Sequence, residues 1–134
     1  MTLIEYERKL FGEAYSDLES KMRAHPGLSR ALDALAERYT DERLAVTDLA
    51  RAAGMSETIL RDRFRQMAGI APRQFIMRYR INKALGVLSR GQGNICDVAG
   101  CVGFANVSGF RKSFRNLLGG SPRMLRAQIV RFER

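Results

Sequence analysis

Residues 46 to 69, VTDLARAAGMSETILRDRFRQMAG, return in altered form at 95 to 119 as ICDVAGCVGFANVSGFRKSFRNLLG. Aligned, Leu49 meets Val98, Ala50 meets Ala99, Gly54 meets Gly103, Leu60 meets Phe110, Phe64 meets Phe114 and Gly69 meets Gly119, with Pro72 and Pro122 just beyond. The offset grows from 49 to 50 after the first glycine, so the second copy has one extra residue in its turn. Each copy reads as a short helix, a Gly-containing turn and a longer helix whose inner residues lie four apart, which is the pattern of a helix-turn-helix. The Ala is small where the helices cross, and the Gly takes a backbone angle that other residues resist.

The rest of the chain reads as helix. β-branched residues never gather in alternating runs, and Pro occurs only three times, so the expected fold class is all-α. Leu3, Tyr6, Leu10, Ala14, Leu18 and Met22, widened by Ile4, Phe11 and Tyr15, predict one amphipathic helix over residues 3–23. His25-Pro26-Gly27 breaks it, and a second helix is expected from Leu28 to Tyr39 with Leu28, Ala31, Leu32, Leu35 and Ala36 inside. Thr47 is the expected cap of a short helix over Asp48 to Ala53, with Asp48 favoured in its first turn. Ser56 caps the next helix, which buries Leu60, Phe64 and Met67. Pro72 opens a connector helix to about Ser89, anchored by Phe75, Ile76, Tyr79, Leu85 and Leu88. After a turn at 90–94, Asn94 with Asp97 starts a short helix. A helix from Asn106 to Leu118 follows, and Ser121-Pro122 starts a last one over about 122–130. Two parts result: residues 1–27, and 28–134 with helix-turn-helix units at about 47–67 and 95–118 joined by a connector at about 72–89.

Charge divides the chain unevenly. Residues 1–50 hold 7 Lys/Arg against 10 Asp/Glu, whereas residues 51–134 hold 16 against 4, so the net +9 arises entirely in the part that contains the repeat. A field of that sign attracts polyanions, nucleic acid first and an anionic membrane second. No apolar run has the length of a membrane span, and MTLIEYERKL lacks the order of a signal peptide, so a cytoplasmic protein is expected. Two cysteines, Cys96 and Cys101, and one histidine, His25, are too few for a structural metal site, and no cofactor is expected. Nothing in the chain forms a Ser/His or Cys/His arrangement, which argues against an enzyme.

In DNA-binding versions of the helix-turn-helix the second helix enters the major groove by its N-terminal half. The stretches DLARAAGMS, LRDRF, RYRINKALGVL, VAGCVGF, FRKSF and GGSPRMLR make residues 28 to 130 resemble the DNA-binding domain of AraC/XylS family regulators. The resemblance implies a seven-helix domain whose two units are held apart by the connector. It also implies regulation of transcription, most often activation, with double-stranded DNA and RNA polymerase as partners at the bacterial nucleoid. A tandem chain can fix two recognition helices about 34–36 Å apart, one DNA turn, so that one copy reads two successive major grooves. The contrasting reading is a basic helical adaptor or an RNA binder. The lack of interleaved exposed aromatics speaks against single-strand binding.

For base readout the candidates in the first recognition helix are Glu57, Thr58, Arg61 and Asp62. Arg61 suits guanine O6/N7, Asp62 suits cytosine N4 and Thr58 suits a thymine methyl. Family positions favour Thr58, Arg61 and Asp62, and Asp62 also penalises wrong sequences. In the second helix the candidates are Asn106, Val107, Ser108, Arg111 and Lys112, led by the last two. Phosphate contacts are expected from Arg65, Arg73, Arg115 and Arg123, and from the helix starts near Thr47, Ser56, Asn94 and Pro122. Arg80, within the apolar connector, is expected to be structural and paired with an acid. Phe64, Phe104, Phe110 and Phe114 are expected in the core.

Gly109 and Gly100 depart from good helix composition, each at about 1 kcal/mol relative to Ala, and predict a soft second unit. Cys101 matches Ala52 and is expected as a small core residue, with a Cys96/Cys101 redox switch as the alternative. For residues 3–23, packing on the core is preferred to self-pairing as a weak homodimer, because their apolar positions keep no clean heptad. The first 27 residues are too short for the ligand-binding domain that many family members carry, which leaves a stand-alone regulator or part of a longer chain.

Overall fold

The computed structural model describes residues 2–91 and 93–132, with side chains as far as Gln128. Nine α-helices occur among the described residues: α1 (Leu3–Phe11), α2 (Tyr15–Arg23), α3 (Pro26–Arg38), α4 (Val46–Ala53), α5 (Glu57–Ala68), α6 (Pro72–Ser89), α7 (Ile95–Cys101), α8 (Val107–Leu118) and α9 (Pro122–Phe132). No strand is present among them.

The stretch predicted as one helix over 3–23 is two. Gly12 takes a left-handed conformation at φ 81° and donates to the Arg8 carbonyl at 2.8 Å, which closes α1. Glu7 then accepts from the Tyr15 N–H at 3.1 Å and ties the start of α2 back to α1. The apolar period runs through this break because both helices bury their faces in one core: Tyr6, Leu10, Leu18 and Met22 are all buried. Ile4, expected in that stripe, is exposed instead. Ile4 apart, the apolar stripe of 3–23 is thus covered within the chain, α1 against α6 and α8, α2 against α3 and α5.

α3 starts two residues earlier than expected because Pro26 fits the first helical turn, where its missing N–H costs nothing. Gly27 lies inside α3, where an added Cβ would overlap the Met55 side chain and crowd the Ala53 carbonyl, so α3 and α4 meet there at backbone distance. Ala36 is exposed, one position beyond the buried stripe of Leu28, Ala31, Leu32 and Leu35.

α6 packs on α1, α5, α7, α8 and α9. Its buried residues, Phe75, Ile76, Tyr79, Ile81, Ala84, Leu85 and Leu88, therefore fall on several sides rather than one stripe. An aromatic cluster joins the first half to it: the Phe64 and Phe75 rings meet edge-on at 5.1 Å, Phe11 and Phe75 at 5.5 Å, and Tyr39 and Tyr79 at 5.4 Å. Each such pair adds about 0.5–1.5 kcal/mol beyond the area it buries. In the second half Phe110 sits between Phe104 at 5.1 Å and Phe114 at 5.6 Å. Phe110 and Phe114 are fully buried, while Phe104 is half-buried at the rim.

Candidate nucleic-acid interface

The two units are built by the same bonds. In the first, Gly54 turns left-handed at φ 68° and Met55 N–H reaches back to the Ala50 carbonyl at 3.0 Å. In the second, Gly103 does so at φ 92° and Phe104 N–H donates to the Ala99 carbonyl at 3.1 Å. Ser56 Oγ accepts from Ile59 N–H at 3.2 Å to cap α5, and Asn106 Oδ1 accepts from Gly109 N–H at 2.8 Å to cap α8. Both long helices end alike, with Gly69 donating to the Arg65 carbonyl and Gly119 to the Arg115 carbonyl. The extra residue of the second copy falls between Gly103 and the cap Asn106, as the alignment places it.

The short helices differ in how they start. Thr47 is not the cap of α4; Ala45 holds that position, and Asp48, in the third helical position, accepts from the Ala45 N–H at 2.9 Å. A carboxylate there satisfies a free backbone N–H from inside the helix, as in the inner half of a capping box, and Thr47 falls into the first turn, exposed. That backbone N–H, followed by Arg38 and Arg51, holds the Asp48 carboxyl below the usual carboxylate range. α7 is capped as expected, Asn94 Oδ1 accepting from Asp97 N–H at 2.9 Å.

Of the readout candidates, Thr58, Arg61 and Asp62 on α5 and Ser108, Arg111 and Lys112 on α8 are all exposed. They occupy equivalent positions, as do Arg65 and Arg115 one turn further and Arg73 and Arg123 at the second positions of α6 and α9. Glu57 is half-buried and pairs with Arg61 at 3.1 Å, so Arg61 is held along α5 before any ligand arrives. Val107 is half-buried against the core and presents the least surface of the α8 candidates. Asn106 and Ser56 already commit a side-chain oxygen to their caps.

Three side chains lie otherwise than expected. Among the described residues Arg80 has no acid partner; its Nε donates to the Tyr39 carbonyl at 2.9 Å and Nη2 to the Asp41 carbonyl at 2.8 Å. Burial pulls its pKa below the usual guanidinium value, against the opposing pull of Asp41 and Glu42. Cys101 is exposed rather than in the core, as is Cys96, because α7 turns Val98 and Ala99, with Ile95 at the margin, inward. Met67, near the end of α5, is half-buried, since Leu60 and Phe64 alone complete the inner face of that helix.

Two residues escape the sequence reading. Ile59 stands 47% exposed on α5 beside Thr58, and its apolar character hides it among core positions. Arg30 closes the C-terminal end of α4, Nε on the Ala52 carbonyl at 3.2 Å and Nη2 on the Ala53 carbonyl at 3.1 Å. Positive charge suits that end of a helix, but no local sequence signal links residue 30 to residue 53. Between the units lies a cleft of about 560 Å³ whose wall includes Leu44, Arg73, Met77, Arg80 and Phe104.

Two capped recognition helices of matched construction on one connector define a tandem helix-turn-helix protein. A profile of the family described as helix-turn-helix domain matches residues 49–128. The solved DNA-binding domain of AdpA, a global transcriptional factor in complex with a target DNA, is 33% identical, with a TM-score of 0.69 over 77% of this chain and 91% of that one. A transcriptional regulator of the AraC-type DNA-binding class from Chromobacterium violaceum is 27% identical, with a TM-score of 0.72 over 79% of this chain and 94% of that one. The transcriptional activator NphR of a Rhodococcus species is 30% identical over 78% of this chain and 31% of its own length. This chain spans about a third of the length of the curated relatives it matches. It belongs to the AraC-type helix-turn-helix family, whose members are transcriptional regulators and not enzymes.

Proposed function

We propose that the chain binds double-stranded DNA sequence-specifically by placing the N-terminal halves of α5 and α8 in successive major grooves, and so regulates transcription. The observation that carries this is the equivalence of the two helices: the same side-chain caps, the same glycine ends, and exposed polar residues at the same positions. Thr58, Arg61 and Asp62 on α5, and Ser108, Arg111 and Lys112 on α8, are assigned to base edges, with Asn106 and Val107 at the margin of the second set. Arg65, Arg73, Arg115 and Arg123, with the helix starts at Ser56 and Asn94 and the exposed Thr47, are assigned to phosphates. The relative solved on a target DNA supports the ligand, and the relative named an activator supports activation, with RNA polymerase as the protein partner. Among the described residues no helix is long and apolar enough to cross a membrane, which fits work at the nucleoid.

Duplex is favoured over single strands because the rings are turned inward: Phe64, Phe75, Phe110 and Phe114 are fully buried and offer no stacking platform. Gel shifts of a labelled duplex, selected by the protein from a random pool, test the reading with duplex, single-stranded and RNA competitors. The selected duplex is expected to compete best by at least about tenfold, a modest threshold beside the gap that usually separates specific from non-specific binding. Equal competition by all three rejects it.

A further inference from the structure

Arg80 lies where the two units come together, hydrogen-bonded to the first and in steric contact with the turn of the second. Tyr39 caps the end of α3, and residues 39–45 run from there into α4, so the Tyr39 and Asp41 carbonyls belong to the entrance of the first unit. Gly103 in the turn of the second unit lies against the same guanidinium. A Cβ built on it would stand 2.7 Å from Arg80 Nε and 3.2 Å from Cζ, and would overlap the Tyr39 carbonyl oxygen. One planar group on the connector thus lies between the entrance of the first unit and the turn of the second.

Among the described residues no carboxylate lies within ion-pair reach of Arg80. Its charge is met instead by the Tyr39 carbonyl at the C-terminal, negative end of α3 and by the Asp41 carbonyl in the loop beyond. Removing a charge even partly from water is costly unless hydrogen bonds meet it, and for the half-buried Arg80 two backbone oxygens do so. A guanidinium fork fixes direction as well as distance, which a lysine ammonium does not. The covalent link between α6 and α7 passes through Gly91 and Gly93, both at positive φ.

We propose that Arg80 is a positioning residue that sets the angle between α5 and α8, and with it the half-site spacing the protein accepts. This rests on the two-groove reading above. Only a fixed angle makes a tandem reader intolerant of spacing, since one inserted base pair turns the second half-site by about a tenth of a helical turn.

Two measurements test it. In the first, the pool-selected duplex is compared with the same duplex carrying one base pair inserted between its half-sites. The parent protein is expected to lose at least about tenfold in affinity on insertion, a penalty of about 1.4 kcal/mol, and Arg80→Met less than about threefold. In the second, nitroxides are placed at Gln66→Cys and Asn116→Cys, exposed and equivalent on α5 and α8, after Cys96→Ser and Cys101→Ser. The distance distribution in the free protein is expected to be narrow when Arg80 is intact and broad in the Arg80→Met background. Arg80→Lys, which keeps charge without the fork, is expected to behave like the Met variant and decides the matter if Arg80→Met does not fold. A full insertion penalty and an unchanged narrow distance in the folded variants overturn the role of Arg80 alone. Tolerance of the insertion by the parent protein overturns the two-groove reading, and the positioning role with it.

Discussion

Gly103 and Gly119 occupy the same kind of backbone region, φ 92° and 79°, yet face different surroundings. Nothing lies within 4 Å of a Cβ added to Gly119, whereas at Gly103 it meets the Tyr39 carbonyl and Arg80. Gly119→Ala should therefore cost only the left-handed penalty, about 1–2 kcal/mol. Gly103→Ala adds an overlap with backbone that has no rotamer to escape into, and should cost clearly more in urea melts. Equal costs would remove the steric part of that account. Among exposed residues the contrast is one of role. Arg61→Ala or Arg111→Ala should cost about 1–3 kcal/mol on the selected duplex and relax preference at one or two base pairs. Arg65→Ala should weaken all duplexes alike and lower the salt slope by about one. Binding titrations on matched and scrambled duplexes at several salt concentrations separate the two, and uniform losses for all three variants would contradict the assignment.

The short helices carry the element-scale chemistry. Asp48 caps α4 from within, and its folded pKa lies below the ordinary value of 3.8, first through the Ala45 N–H and then through Arg38 and Arg51. A carboxyl depressed in the folded state stabilises the protein above its unfolded pKa, and that contribution disappears as pH falls through the folded value. Asp48→Asn should accordingly flatten the acid limb of a stability-pH curve below about pH 4, leaving the neutral slope unchanged. An unaltered acid limb would show that Asp48 does not contribute. Gly100 in α7 has open space around a Cβ, so Gly100→Ala should raise stability by about 0.5–1 kcal/mol in the same assay. Legibility follows from these elements. α5 and α8 are readable because their caps, apolar spacing and terminal glycines all act within one turn of chain. The start of α4 is not, since Thr47 and Asp48 are both good first-turn residues, and only the backbone path from residue 41 to 45 chooses between them. The α1–α2 break is hidden because two helices packing on one core preserve a single helix's apolar period, and Gly12 alone marks the turn. The surroundings of Arg80 and Arg30 are illegible, both being set by carbonyls from distant segments.

On the scale of the molecule, residues 1–48 lie outside the family match, yet the described ones among them are woven into the core that positions both recognition helices. α1 rests on α6 and α8, and α2 rests on α3 and α5. Arg78 of α6 donates to the Leu10 carbonyl at 2.7 Å, so the connector is also tied to α1 by a polar bond. Tyr6, Leu10, Leu18 and Met22 are 1%, 0%, 0% and 0% exposed. Burying side chains of this size stabilises by about 1.5–3 kcal/mol each, on the order of 6–12 kcal/mol together. The entropy of ordering the segment offsets part of this, but its removal also bares the faces of α3, α5, α6 and α8 that it covers, in a domain whose net stability is ordinarily about 5–15 kcal/mol. Removal of residues 1–24 should therefore abolish cooperative thermal melting and expose the apolar backs of α5 and α8, rather than leave a folded monomer lacking an appendage. If these helices served instead only to pair two copies, the truncated chain would melt as sharply as the intact one and change only its sedimentation. Calorimetry and sedimentation of the two chains side by side distinguish these outcomes, because loss of a core contribution appears as a lost transition at any concentration, whereas loss of self-pairing appears only where the intact chain associates.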